Sequence, residues 1–298
     1  MSSFEFYRFR FQFQAVDEVC FPKAGSANVV RGAWGTLLQR ISPPEVYERL
    51  FEPGNGRTGG PSGLADWPRP FVFRTAELDG ATIEPGGRFH FDAHVFELQQ
   101  PVLGYFETAF AELASAGIGP GRGRARLEGV EQLDVNGRAR GDEEPCSVSL
   151  DAERFAIDTI GVRFVTPTEL KAGGRLTERP EFPALFARLR DRICTLRSRY
   201  GRGALELDYR GLGERASRIT LGRCELRWES SRRTSSRTGQ THPLGGFLGD
   251  AEYQGALAEF APWLRAARWV GVGRQAVWGK GDLRVIEERR GSPDVNFR

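Results

Sequence analysis

Histidine trades protons near neutral pH more readily than any other side chain. This chain has three: His90, His94 and His242. His90 and His94 share the stretch RFHFDAHVF. Strand parity turns them to one face with Asp92 between them, while Phe89, Phe91, Ala93 and Val95 line the other. That face reads as a polar, solvent-facing surface. His242 lies in SRRTSSRTGQTHPLGG, a polar stretch where Pro243 favours an extended backbone. A histidine on a loop carried by a rigid scaffold is placed for acid–base work, so His242 is the candidate base or acid. The four cysteines, Cys20, Cys146, Cys194 and Cys224, are far apart and form no CxxC pair. No cysteine or carboxylate cluster has metal spacing, so neither a metal nor a cofactor is expected.

A second group of residues points to anion binding. GVGRQAVWGKG places Gly271, Gly273, Gly279 and Gly281 around Arg274, Gln275, Trp278 and Lys280. A dinucleotide loop would follow a strand and open a helix; this one follows a helix and precedes a strand. A Walker loop needs Ser or Thr after its lysine, and Lys280 is followed by Gly281. A tight connection explains one or two glycines. The pattern G-x-G, five residues, G-x-G leaves a wider bare surface, on which a nucleic-acid strand can approach the backbone N–H groups of this loop, Gln275 included. Arg274 and Lys280 then meet phosphates, and Trp278 stacks on a base or packs.

The cations are mostly arginine: 39 arginines against three lysines, at a net charge of +3. A GC-rich genome inflates arginine everywhere, so position decides. Arg122 and Arg124 follow the earlier glycine loop GIGPGRGR, with Arg126 just beyond. Arg232, Arg233 and Arg237 lie in SSRRTSSRTG. Both sets adjoin glycine-rich surface and suit RNA. The arginines of 188–202 decorate a helix and read as a solvated face.

The elements that hold these residues come twice. YRFRFQFQ (7–14) alternates as a half-buried strand. A helix follows in SANVVRGAWGTLLQRI, then strands at 71–78 and 88–98, a helix over 102–116, the first glycine loop and a strand. The second half runs GVRFVT, a helix over 181–200, strand material at 204–211 and 217–230, a helix over 251–269, the second glycine loop and DLRVIE. Each half reads β-α-β-β-α-β. The expected fold is α+β: two tandem ferredoxin-like (RRM-like) domains, over 1–145 and 155–290. Residues 52–70 read as loop, and 288–298 as a patternless tail. No stretch approaches the ~20 apolar residues of a membrane helix, and MSSFEFYRFRFQ is no signal peptide. A cytoplasmic protein without a membrane partner is expected.

The sequence resembles the CRISPR precursor-RNA processing endoribonucleases of the RAMP superfamily, whose C-terminal glycine loop reads G-hydrophobic-G, five residues, G-hydrophobic-G. GVGRQAVWGKG fits at every glycine, with Lys280 departing from the second hydrophobic position. The likeness continues, in order, through VVRGAWGTLL (29–38), YERLFEP (47–53), WPRPFVF (67–73), GIGPGRGRARLEGV (117–130), VTPTELK (165–171) and HPLGGFLGDAEYQG (242–255). It implies metal-independent cleavage of CRISPR repeat RNA, hairpin or single-stranded. The substrate's 2′-OH attacks the adjacent phosphate and leaves a 2′,3′-cyclic phosphate and a 5′-OH. The family often places a catalytic histidine around the first helix; this sequence offers Arg31, Arg40, Tyr47 and Arg49 there instead. His242, Arg31 and Tyr47 are therefore the catalytic candidates. The alternative is a non-catalytic RAMP subunit that grips guide RNA beside other subunits of a CRISPR effector complex.

Overall fold

The computed structural model describes residues 2–54, 67–230, 232–234, 241–243 and 245–290, and for 232–234, 241–243 and 290 the backbone alone. Much of the glycine-rich stretch 52–70 and the tail from 291 thus lie outside the described residues. The first half runs β1 (Ser3–Ala15), α1 (Ser26–Ile41), α2 (Pro44–Phe51), β2 (Phe71–Arg74), β3 (Arg88–Val95), α3 (Leu103–Ala116) and β4 (Ala125–Gln132). Its sheet is antiparallel in the order β2-β3-β1-β4, and β5 (Cys146–Ser149) pairs with the first residues of β1.

The second half repeats the plan: β6 (Ile157–Thr168), α4 (Phe182–Tyr200), α5 (Tyr209–Ala216), β7 (Thr220–Glu229), a hairpin of β8 (Arg232–Thr234) and β9 (Thr241–Pro243), β10 (Gly246–Gln254), α6 (Ala261–Val270) and β11 (Leu283–Arg290). Its sheet order, β7-β10-β6-β11, is the first order again. Both halves are ferredoxin-like units with two helices on one sheet face.

Alternation in β1 does what period two dictates. Phe9, Phe11 and Phe13 are buried beneath the helices; Phe11 meets Phe110 of α3 edge-on at 4.7 Å, and Trp34 of α1 lies 4.7 Å from Phe106. In the second unit Phe186 of α4 meets Phe260 at 4.7 Å, beside Leu189 and Leu264.

Two sequence expectations are corrected. Residues 204–211 are not a strand: 204–208 are irregular and α5 starts at Tyr209. Asp208 caps α5, accepting from the Gly211 N–H at 2.9 Å, and Leu212 and Ala216, one turn apart, are its buried pair. Residues 251–254 are not helix but the end of β10. Ala251 and Tyr253 point inward, with Tyr253 5.1 Å from Phe182, and the helix waits until Ala261, where Pro262 suits its first turn.

The even face of the first sheet is also not simply solvent-facing. Phe4, Phe6 and Val72 belong to the same buried cluster as the second unit's core, and Phe6 packs 4.8 Å from Trp269 of α6. His90 is exposed, but Asp92 and His94 on that face are buried. Phe6→Ala is expected to cost ~3–5 kcal/mol in chemical denaturation; a loss below ~1 kcal/mol contradicts the packing described.

Candidate active site

The glycine loop begins where α6 ends and returns the chain to β11. A 3-10 turn, Ala276–Trp278, fills its middle, with Gln275 left-handed ahead of it (φ 63°). Two glycines let the loop close. A Cβ on Gly273 (φ 80°) would stand 2.4 Å from the Glu169 carbonyl, and one on Gly281 (φ 69°) 1.9 Å from the Val272 carbonyl. No L side chain fits there. The closing bonds are Arg274 N–H to Glu169 O (3.0 Å), Val272 N–H to Gly281 O (2.9 Å) and Gly281 N–H to Pro167 O (3.2 Å). Val277 is then buried in the core of the first unit, not its own. The loop straps the second unit onto α1 and β2. Much of its bareness therefore serves approach within the chain, the tight connection that accounts for two of the four glycines.

The strap roofs a cavity of about 130 Å³. The walls are the start of α1 (Gly25, Ser26, Ala27 and Asn28), Asp79, the end of β6, Glu229, and Trp278, Gly279 and Lys280. Ser26 is fixed by Asp79, which accepts its N–H at 2.8 Å, and its hydroxyl donates to the Thr75 carbonyl at 2.7 Å. Lys280 is buried, and its Nζ donates to the Gly245 carbonyl at 3.5 Å. Burial pushes its pKa down to about 8 against the pull of Glu169 and Glu229.

A second cleft, about 180 Å³, shares Thr75, Ala76, Thr166 and Gly279 with the first and runs between the sheets. It gathers Arg8, Arg10, Arg74, Arg268 and Arg284 with Asp92, Asp282, His90 and His94. Arg8 and Arg10 both donate to Asp92, at 2.7 and 2.8 Å. Burial alone would raise the Asp92 carboxyl, but those two guanidinium groups hold it low. Asp282 is held low likewise by Arg74 and Arg284 against its burial. Arg74 Nη2 donates to the Arg268 carbonyl at 2.5 Å, while its Nε and Nη1 have no hydrogen-bond partner among the described residues. Sequence reasoning missed this cleft: parity put Arg8 and Arg10 on one face but could not show that Arg268 and Arg284 face them.

The candidate residues divide. Gly279 and Lys280 line the first cavity, and Gly271 caps α6. Arg274 pairs with the Glu169 carboxylate, and Gln275 sits at the turn. Arg31 is buried, 4.4 Å above the Phe51 ring and 5.4 Å from that of Trp278. Tyr47 is buried too, stacked on Phe51 at 5.4 Å, its hydroxyl donating to Glu52 at 3.3 Å. Arg31 therefore touches the cavity's wall and Tyr47 stands behind Phe51. Arg40 and Arg49 pair with Glu112 and Glu97. In the first glycine loop Arg122 is exposed and left-handed (φ 51°), and Arg124 forks onto Asp17 at 2.6 and 3.1 Å. The side chains of Arg232, Arg233 and His242, and all of Arg237, lie outside the described residues; the backbone pairs Arg233 with His242 in the β8–β9 hairpin. His94 Nδ1 lies 2.9 Å from the Trp269 carbonyl.

Residues 162–283, glycine loop included, match the family of the CRISPR-associated endoribonuclease Cas6. The half of the chain that carries the glycine loop is therefore Cas6-like. Residues 4–147 match a family described as an N-terminal domain. Among solved structures, a Cas6 product complex is similar at 19% identity and TM-score 0.59, covering 95% of this chain and 99% of that one. Thermus thermophilus Cas6 is similar at 17% identity and TM-score 0.52, covering 96% and 100%. A chain of a partial Cas6-RT-Cas1–Cas2 complex gives TM-score 0.60 at 13% identity, covering 99% of this chain and 47% of that one. At these identities the likeness is one of fold. No curated protein matches the sequence. No helix among the described residues is long and apolar enough to cross a membrane.

Burial, and then the charge of Arg74, push His94 down to about 3. The folded chain keeps it neutral, while the unfolded chain takes a proton below ~6.5. Stability is expected to fall as pH drops from ~6.5 toward ~3, and His94→Gln to flatten that fall. A His94 imidazole titrating near its ordinary value by NMR contradicts this.

Proposed function

We propose that the protein cuts CRISPR repeat RNA without a metal, by attack of the 2′-OH on the adjacent phosphate, leaving a 2′,3′-cyclic phosphate and a 5′-OH. The observation that carries the reading is the cavity where the start of α1, the glycine loop and Lys280 converge, continuous with an arginine-lined cleft. The substrate supplies its own nucleophile, so the chain must hold the phosphate in line and meet its charge. RNA backbone in the cleft would meet Arg74, whose donors are incompletely used, and Arg268 and Arg284. The cavity then takes the phosphate to be cut. Arg31 acts at one remove, holding Trp278 against the cavity, and Tyr47 supports Phe51 beneath it. His242, three residues before the Gly245 carbonyl that takes Lys280, is the candidate base for the 2′-OH. The Cas6 match over the loop-bearing half supports the endonuclease over the grip-only subunit.

Labelled repeat RNA, incubated with the protein in EDTA, is expected to be cut, and the same RNA with one 2′-deoxy nucleotide at the cut to stay whole. His242→Ala is expected to slow cleavage ~10²–10⁴-fold. Tight binding with no cleavage would instead support a subunit that grips guide RNA.

A further inference from the structure

We propose that Lys280 is the proton donor to the leaving 5′-oxygen, an assignment that rests on the nuclease reading above. The chain meets RNA charge with 39 arginines and keeps only three lysines. Lys23 is exposed and Lys171 half-exposed; Lys280 alone is buried, at 6% exposure, on the wall of a cavity. Arginine would serve there if holding a phosphate were the whole task, but a guanidinium does not give up its proton in proteins. An ammonium does, and it carries three N–H donors. Here one is spent on a long contact, 3.5 Å, to the Gly245 carbonyl.

The opposite wall suits the anion. α1 spans 16 residues with no acidic residue in its first turn; its N-terminus favours negative charge, and the Asp79 carboxylate already takes the Ser26 N–H there. A phosphate in the cavity would have the positive end of the α1 dipole on one side and the ammonium on the other. Three carboxylates lie near. Glu169 and Glu229 pull the ammonium toward its charged form while burial opposes them. Glu169 is itself paired with Arg274, and Asp79 is taken by Ser26. The balance leaves a lysine that is charged at neutral pH and weak enough as a base to release its proton.

In the step, the 2′-oxygen bonds to phosphorus as the bond from phosphorus to the 5′-oxygen breaks. The 2′-OH proton passes to His242 or to water. The 5′-oxygen takes a proton from the Lys280 ammonium, and solvent returns one to the amine.

The test measures single-turnover cleavage of repeat RNA and of the same RNA with sulfur bridging at the 5′ position, since a leaving thiolate needs no proton. Lys280→Ala is expected to be ~10²–10⁴-fold slower on the oxygen substrate and close to wild type on the sulfur one. Lys280→Arg is expected to bind RNA like wild type, which also reports correct folding, and still to cut the oxygen substrate slowly. Full activity of either variant on the oxygen substrate, or equal losses on both substrates, overturns the assignment alone. A wild-type protein that binds the repeat and cuts neither RNA overturns the nuclease reading and this assignment with it.

Discussion

Val277 belongs to the chain's last loop, yet it is buried among the aromatic residues of the first unit. To put it there, the loop must double back within eleven residues and come within bonding distance of Pro167 and Glu169. That is possible only without side chains at Gly273 and Gly281. The remaining site geometry follows from this strap. It sets Trp278 beside Arg31, Gly279 between the two cavities and Lys280 across from the start of α1. A loop moved by a Cβ at Gly281 would take a wall of the cavity with it.

The seam below the strap combines two kinds of contact. Phe6 on Trp269 excludes water at one end, and further along the same face the pairs Arg8–Asp92, Arg10–Asp92 and Arg284–Asp282 take over. Guanidinium groups packed this closely repel, and the two buried carboxylates offset part of that cost. Cation charge remains in excess along the cleft, as an RNA path needs.

What was legible in the sequence was local. The alternation of β1 and the helical registers of α1, α3 and α4 placed Phe11, Trp34, Phe110 and Phe186 in the core, because periodicity depends only on neighbours in the chain. Residues 204–211 and 251–254 misled for the same reason. LELD alternates without a strand partner, and AEYQ holds helix formers that a neighbouring strand and Phe182 override. Parity grouped His90, Asp92 and His94 but could not show that α6 covers His94. The departure of Lys280 from the hydrophobic pattern was visible, whereas its burial depends on residues from α1, β6 and β7 that only the fold brings together.

The central claim, that the start of α1 and the glycine loop form one RNA site, is tested most directly by hydrogen exchange on the whole protein. The ligand is repeat RNA carrying the 2′-deoxy block, which binds without turnover. The account predicts that RNA slows amide exchange in residues 24–31 and 271–281 together, beyond any change across α4 and α5. Slowing confined to other surfaces, with both segments unchanged at saturating RNA, would contradict it.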